Sequence, residues 1–138
     1  MPIHRSTTHI RFSDIDAFGH VNNATYLTYY EEARVKFFDD VVDWSYDWSK
    51  EGVILARAEV DYILPVHFKD EIFIDTFCSR IGTKSFDLSY QMIMLKEGKE
   101  IILSSATTVM VAFDYKNQKS IPVPQEWITG LEKFRGTI

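Results

Sequence analysis

The chain of 138 residues is 46% hydrophobic and 25% charged, which indicates one folded domain over residues 1–138 and excludes a disordered segment. Twenty acidic against fifteen basic residues give a net charge of −5, and we expect no nucleic acid partner, because phosphate binding needs a basic face. The first residues hold no apolar leader, and no apolar run reaches the roughly 18 residues of a membrane helix, so we expect a cytoplasmic protein without a membrane partner.

The N-terminal part predicts a strand, a loop and then a long helix. Residues 5–13 alternate in the manner of a strand, and residues 14–21 hold two Asp, one Gly and one His, which is typical of a loop. From Ala24 the apolar residues recur at intervals of three and four, which predicts an amphipathic helix of about five turns. Asn22 or Asn23 is its expected N-cap. The apolar stripe comprises Tyr26, Tyr30, Ala33, Phe37 and Val41, with Leu27 and Phe38 beside it.

The second half of the chain predicts consecutive strands after a connection that contains Trp44 and Trp48. Period-two alternation marks four strands at residues 54–62, 71–81, 86–94 and 100–113, and a short helix is expected at 125–133. The turns between the strands are short, so neighbouring strands are antiparallel. Because the helix has to bury its apolar stripe against the sheet, we expect an α+β fold with one long helix against a curved antiparallel sheet of about five strands.

Several kinds of site are not expected. The chain has no Gly-x-Ser-x-Gly elbow and no glycine-rich phosphate or dinucleotide motif. Its four histidines lack a helical i, i+4 pairing, and Cys78 is the only cysteine, in mid-strand. We therefore expect neither a metal site nor a cofactor.

The loop before the long helix is the segment that carries chemistry. The first N–H groups of a helix are unpaired and carry partial positive charge, which suits an anion or a developing oxyanion. A carboxylate close to them stays ionised and can act as base or nucleophile. The residues by themselves therefore favour acyl transfer next to an Asp, or else an acidic loop with an Asx turn, a cap and a solvated histidine.

The same loop carries a family signature. Three successive segments closely resemble the signature of the 4-hydroxybenzoyl-CoA thioesterase-like acyl-CoA thioesterases of the hotdog fold: Arg11-Phe12-Ser13-Asp14-Ile15-Asp16, Gly19-His20-Val21-Asn22-Asn23, and Tyr26-Leu27 with Tyr29-Tyr30-Glu31-Glu32-Ala33-Arg34. Weaker similarity follows at Asp61-Tyr62, Pro65, Asp70 and Lys84-Ser85-Phe86. The resemblance covers about residues 5–113 and implies the hotdog fold and hydrolysis of an acyl-CoA or acyl-carrier-protein thioester.

The resemblance also implies roles for single residues. Asp16 matches the catalytic carboxylate, as nucleophile or general base, with Asp14 as the other choice. The backbone N–H of Asn23 polarises the thioester carbonyl. Gly19, His20 and Asn22 shape the turn around the thioester, and Lys84 and Ser85 match a segment that lines the pantetheine and phosphate path. Arg80 and Lys84 are our candidates for binding the CoA phosphates, the alternative being a solvated strand end. Glu59 and Asp61 remain minor alternative acids.

An open sheet leaves edges that need covering, and in this fold the sheets of two subunits join so that each site uses both chains. We therefore expect a C2 homodimer or a homotetramer built from it, with Glu31 and Arg34 as a structural pair at a subunit contact. The alternative function is an acyl-thioester-binding hotdog module without turnover. The acyl group is left open.

Overall fold

The part of the chain that the structure describes folds as a six-stranded antiparallel sheet with one long and one short helix. The computed structural model describes residues 3–42 and 50–137, so Trp44 and Trp48 lie outside the described residues. The elements in chain order are β1 (His4–Thr8), a 3-10 turn (Phe12–Asp14), α1 (Thr25–Val41), β2 (Glu51–Tyr62), β3 (Ile72–Ile81), β4 (Ser85–Lys96), β5 (Lys99–Asp114), β6 (Lys119–Ser120) and α2 (Gln125–Glu132).

The strand order in the sheet is β1-β3-β4-β5-β2, and β6 pairs with β5. The four predicted strands after the helix are confirmed, as are the antiparallel pairing and the short α2. Glu97 and Gly98 join β4 to β5 with φ of 52° and 77°, the positive values that a tight two-residue hairpin turn requires. The two-residue β6 was not predicted, because so short a segment has no visible alternation.

Helix α1 buries its stripe against the sheet, as predicted. Ala33 and Phe37 are fully buried in the hydrophobic core. Leu27, expected beside the stripe, is 44% exposed, whereas Tyr29 is buried. Tyr29 and Arg34 therefore widen the buried face beyond the apolar positions that the sequence marks.

Two predicted boundaries were wrong. The first strand ends at Thr8, because the N–H of Asp14 bonds the carbonyl of Arg11 at 2.9 Å and turns the chain into a 3-10 turn. Phe12 is consequently 80% exposed and does not line a strand face. Ala24, which already has helical backbone angles, takes the N-cap position of α1, and the Asn22 side chain instead accepts a hydrogen bond from the Ala24 N–H at 2.9 Å.

The two edges of the sheet differ. At one edge β1 is short, and Lys36 of α1 donates to its Thr7 carbonyl at 2.7 Å, which covers part of its hydrogen-bonding edge. At the other edge β2 has 12 residues and pairs only with β5 among the described strands. Most of β2 is exposed. Neither α1 nor α2, the helices of the described part of the chain, is long and apolar enough to span a membrane.

Candidate active site

The loop between the 3-10 turn and α1 closes on itself like a small hairpin. The N–H of Asn22 donates to the carbonyl of Asp14 at 2.9 Å, and the N–H of Asp16 donates to the carbonyl of His20 at 2.9 Å. Between these two bonds, Ile15 and Val21 form an antiparallel bridge. These backbone contacts hold the main chain of Asp16 opposite that of His20. Gly19 turns the tip with a φ of 84°, a left-handed value that favours glycine, and its N–H bonds the Asp16 carbonyl at 3.1 Å.

The Asp16 carboxylate is half-buried and is held by its own loop. Its Oδ1 accepts a hydrogen bond from the N–H of Phe18 at 2.9 Å. This bond orients the side chain while leaving lone pairs on both oxygens for a further partner. The carboxylate is therefore oriented by its own loop, in which the backbone of Asp16 lies opposite that of His20.

The start of α1 offers an unpaired donor. The N–H groups of Ala24 and Thr25 are bonded to the side chain and carbonyl of Asn22, each at 2.9 Å. No acceptor among residues 3–42 and 50–137 bonds the N–H of Asn23. The carbonyl of Asn23 accepts the Tyr62 hydroxyl at 2.8 Å, which fixes this peptide against the end of β2.

A small cavity of about 240 Å³ opens at this point. Its walls are His20, Val21, Asn23, Tyr26, Tyr62, Ile63, Leu64 and Pro65. The structure thus brings His20 and Asn23, two of the predicted site residues, to one cavity, and the backbone of Asp16 pairs with that of His20. Such a mixture of an apolar wall and a few polar groups is the usual character of a small-molecule site.

Two residues of this region were missed by the sequence reasoning. The imidazole of His67 packs edge to face against that of His20, with ring centres 5.1 Å apart, and Tyr62 contacts Asn23 as described above. The backbone N–H of His67 is itself held by the Asp70 carboxylate at 2.8 Å. Tyr62, His67 and Asp70 come from the end of β2 and the β2–β3 connection, far from the Asp16 loop in sequence, so only folding reveals their proximity to it.

The second carboxylate of the loop has a different environment. Asp14 is 5% exposed and its Oδ2 accepts the Tyr29 hydroxyl at 2.6 Å and the Arg11 N–H at 3.0 Å. Burial acts to raise the pKa of Asp14, but these bonds and the Arg11 charge outweigh burial and hold that pKa below its ordinary value. Burial and the bond to Asp14 raise the pKa of Tyr29. Asp14 is thus committed to partners within the protein, which leaves Asp16 as the better placed of the two to meet a substrate.

The lowered pKa of Asp14 predicts an acid-dependent loss of stability. An ionised Asp14 stabilises the folded state fully above its ordinary pKa of 3.8, and this contribution disappears as the pH falls through the lower pKa of the folded state. At neutral pH we expect Asp14→Asn to cost about 2 kcal/mol in the free energy of unfolding, since hydrogen bonds to a buried charge are lost. Denaturant unfolding of the wild-type protein and of Asp14→Asn from pH 7 to pH 3 measures this cost. The prediction is contradicted if the difference in the free energy of unfolding between the two proteins does not narrow below pH 4.

The predicted CoA-binding residues lie together at the β3–β4 turn. The Arg80 guanidinium donates to the Ser85 hydroxyl at 2.8 Å and to Asp87 at 2.9 Å, and its bond to Asp87 raises the pKa of Arg80. Lys84 is exposed at the same turn. Of the two cations, Lys84 is therefore the one without a carboxylate partner in the described part of the chain.

This turn and the Asp16 loop are at opposite ends of the sheet. Ser85 is paired through β5 with Ile54 near the start of β2, whereas Asn23 contacts Tyr62 at its end. Eight residues of extended strand separate those two positions, a span of roughly 25 Å. One chain alone does not bring the two groups of predicted site residues together.

The remaining reactive side chains add no second centre. Cys78 is buried, and burial raises the pKa of its thiol to about 11, which suppresses the reactive thiolate. Within the residues that the structure describes, no group of three His, Cys, Asp or Glu side chains is placed to hold a metal ion. Glu59 and Asp61 line a different cavity of about 390 Å³, together with Asp75.

Comparisons with known proteins agree with the motif. A family model described as the thioesterase-like superfamily matches residues 10–131. Uncharacterized protein YsmA of Bacillus subtilis is 33% identical over 81 residues, which are 59% of this chain but only 54% of YsmA. The long-chain acyl-CoA thioesterase FadM of Escherichia coli is 27% identical over 128 residues, covering 91% of this chain and 94% of FadM.

A solved structure extends the likeness to three dimensions. It is a thioesterase from Thermus thermophilus complexed with coenzyme A and Zn, 27% identical, with a TM-score of 0.79 over 96% of this chain and 92% of that one. The hotdog fold expected from the sequence is thereby confirmed. Because the family model covers most of the chain, including the loop and the start of α1, the chain belongs to the thioesterase-like superfamily.

Proposed function

We propose that this protein hydrolyses acyl-CoA thioesters to a free acid and CoA. The observation that carries the proposal is the meeting, at one small cavity, of an unpaired N–H at the start of α1 and His20, whose backbone carbonyl pairs with the backbone N–H of Asp16 across the loop. The names of the relatives support the substrate class, since one is a long-chain acyl-CoA thioesterase and one binds coenzyme A.

In this proposal Asp16 is the catalytic carboxylate. It either attacks the thioester carbonyl carbon itself or removes a proton from the attacking water. In the first case the C–S bond breaks as a mixed anhydride forms between Asp16 and the acyl group, and a water then cleaves the anhydride to release the acid and the free carboxylate. In the second case the water oxygen bonds the acyl carbon as the C–S bond breaks. In both cases the thiolate leaves and takes up a proton, and one water is consumed. The bond from the Phe18 N–H keeps Asp16 oriented for either role.

The start of the helix stabilises the negative charge that develops on the carbonyl oxygen. The N–H of Asn23 is the proposed donor, since it is unpaired and the carbonyl of the same residue is held by the Tyr62 hydroxyl. His20 lines the cavity and contacts the substrate, whereas Gly19 and Asn22 shape the loop around it. This assigns to each predicted residue a role that its contacts allow.

The second half of the site comes from a second copy of the chain. We place a partner β2 antiparallel to β2 about a two-fold axis, which sets the start of one β2 beside the end of the other. The Lys84 turn of one chain then approaches the Asn23 cavity of its partner, so that Lys84, with Ser85 and Arg80, lies in reach of the CoA phosphates. A homodimer is the smallest complete unit, and a homotetramer repeats it.

We place the activity in the cytoplasm, which is supported by the single, buried cysteine in a chain that holds no internal disulfide.

Hydrolysis of a panel of acyl-CoAs, followed by detection of free thiol, tests the proposed function. We expect turnover with at least one of the short, long or aromatic acyl-CoAs and a higher KM for the matching acyl-pantetheine, which lacks the nucleotide phosphates. Lys84→Ala is expected to raise the KM for the CoA ester about tenfold and to leave the KM for the pantetheine ester unchanged, since only the phosphate contact is lost.

An exposed lysine on another element provides the control. Lys133 at the end of α2 is exposed as well, and Lys133→Ala is expected to leave both KM values unchanged. Binding of acyl-CoA without release of thiol from any ester would instead support the acyl-thioester-binding module and overturn the hydrolase.

A further inference from the structure

We propose that Asp14, through Tyr29, is the positioning group of the site: it holds the Asp16 loop in register with the start of α1. The inference rests on the proposed function but concerns residues that do not touch the substrate. Catalysis needs the carboxylate of Asp16 and the N–H of Asn23 to face the same carbonyl. Something has therefore to fix the loop relative to the helix that follows it.

The contacts of Asp14 provide that link. Its carboxylate accepts the Tyr29 hydroxyl at 2.6 Å, and Tyr29 lies in the first turns of α1, the same helix whose start presents Asn23. Its backbone carbonyl accepts the N–H of Asn22 at 2.9 Å, on the returning side of the loop. One residue thus ties the outgoing side of the loop both to the returning side and to the helix.

Arg11 completes the cluster on the other side. Its backbone N–H bonds Asp14 Oδ2 at 3.0 Å and its guanidinium reaches Oδ1 at 3.3 Å, which closes the 3-10 turn over the buried carboxylate. With Asp14 5% and Tyr29 1% exposed, water does not readily replace these bonds. The bond between Asp14 and Tyr29 is therefore shielded from water, whereas the part of the loop that carries Asp16 is more exposed.

The consequence for catalysis is geometric. Loss of the Tyr29 hydroxyl leaves Asp14 with no bond to α1 among the side-chain bonds of the described residues, and the loop is free to shift against the helix. A misplacement of about 1 Å can cost on the order of 100-fold in rate. Because substrate binding uses other contacts, the loss is expected in kcat and not in KM.

Tyr29→Phe tests this against a closely matched control, Tyr30→Phe. Both tyrosines lie in α1, both are 1% exposed, and each donates a hydrogen bond of 2.6 Å, Tyr29 to Asp14 and Tyr30 to Ser104 of β5. We expect Tyr29→Phe to lower kcat by about 10- to 100-fold with KM within twofold, and Tyr30→Phe to retain kcat within about threefold. Similar melting temperatures of the two variants exclude a general loss of stability as the cause.

Hydrogen exchange of the peptide spanning residues 15–23 gives a second readout that does not depend on turnover. We expect faster exchange in Tyr29→Phe than in Tyr30→Phe. Unchanged exchange in Tyr29→Phe overturns the positioning role whether or not the protein is a hydrolase. If Tyr29→Phe exchanges faster but the wild-type protein hydrolyses no acyl-CoA, the link between loop and helix is supported and only the proposed function is overturned. Equal loss of kcat in both tyrosine variants also overturns the role of Asp14.

Discussion

Asp16→Asn is expected to lower kcat by about a thousandfold or more while the fold and the KM for acyl-CoA change little. The amide has nearly the shape of the carboxylate and can still accept the hydrogen bond from the Phe18 N–H. It cannot, however, act as a nucleophile or take a proton from water at neutral pH. The experiment is steady-state hydrolysis with free-thiol detection, together with the melting temperature of each variant.

The same substitution at the alternative acids provides the controls. Glu59 and Asp61 line the cavity of about 390 Å³ at the outer face of the sheet, which His20 and Asn23 do not line. Glu59→Gln and Asp61→Asn are therefore expected to keep kcat within about threefold. Near-normal turnover of Asp16→Asn would exclude Asp16 as the catalytic group, and a collapse of activity in Asp61→Asn would move the chemistry to the other cavity.

The parts of the fold that the sequence predicted are those with long, regular patterns. The β2–β5 strands alternate over ten or more residues, and α1 repeats its apolar positions over four turns, so their type was readable. The first strand was predicted too long, because the alternation continues through Ile10 and Phe12, although the Asp14–Arg11 hydrogen bond has already bent the chain. This local turn decided the boundary, and the apolar alternation does not report it.

The candidate site divides in the same way. Asp16, His20 and Asn23 belong to one short segment, and their proximity in the structure follows from the loop that joins them. His67 and Tyr62 reach the site from other elements, and a single sequence holds no signal for such a contact. The resemblance matches Asp16 to the catalytic carboxylate with Asp14 as the other choice, and the burial of Asp14 against Tyr29 favours Asp16 on physical grounds.

The free edge of β2 explains why the two groups of predicted site residues are far apart in one chain. The apolar residues on and just after this strand, Ile54, Leu55, Tyr62, Ile63 and Leu64, are 40–54% exposed. A long edge with exposed apolar side chains invites a further strand. Pairing with a second β2 buries those side chains, and it completes the proposed site at the same time.

Leu55→Asp is therefore expected to convert the protein to a monomer and to lower kcat/KM for acyl-CoA by about a hundredfold or more, because each cavity loses the partner's Lys84 turn. Leu55 is 48% exposed on β2, opposite the buried Met110 of β5, so in the single chain the new carboxylate can stay in water. Between two β2 strands it would be buried without a partner charge, and such a buried charge disfavours association by several kcal/mol.

Leu95→Asp is the matched control. Leu95 is also a leucine in a strand and is 47% exposed, but it lies on β4, which is an interior strand of the sheet. We expect it to leave the dimer and the activity intact. Light scattering across the assay concentration range measures the assembly, and the same samples give kcat/KM. If Leu55→Asp remains fully active as a monomer, the two-chain site is wrong and one chain suffices. If instead it stays dimeric and active, the partner strand lies elsewhere, and β2 is not the edge at which two copies meet.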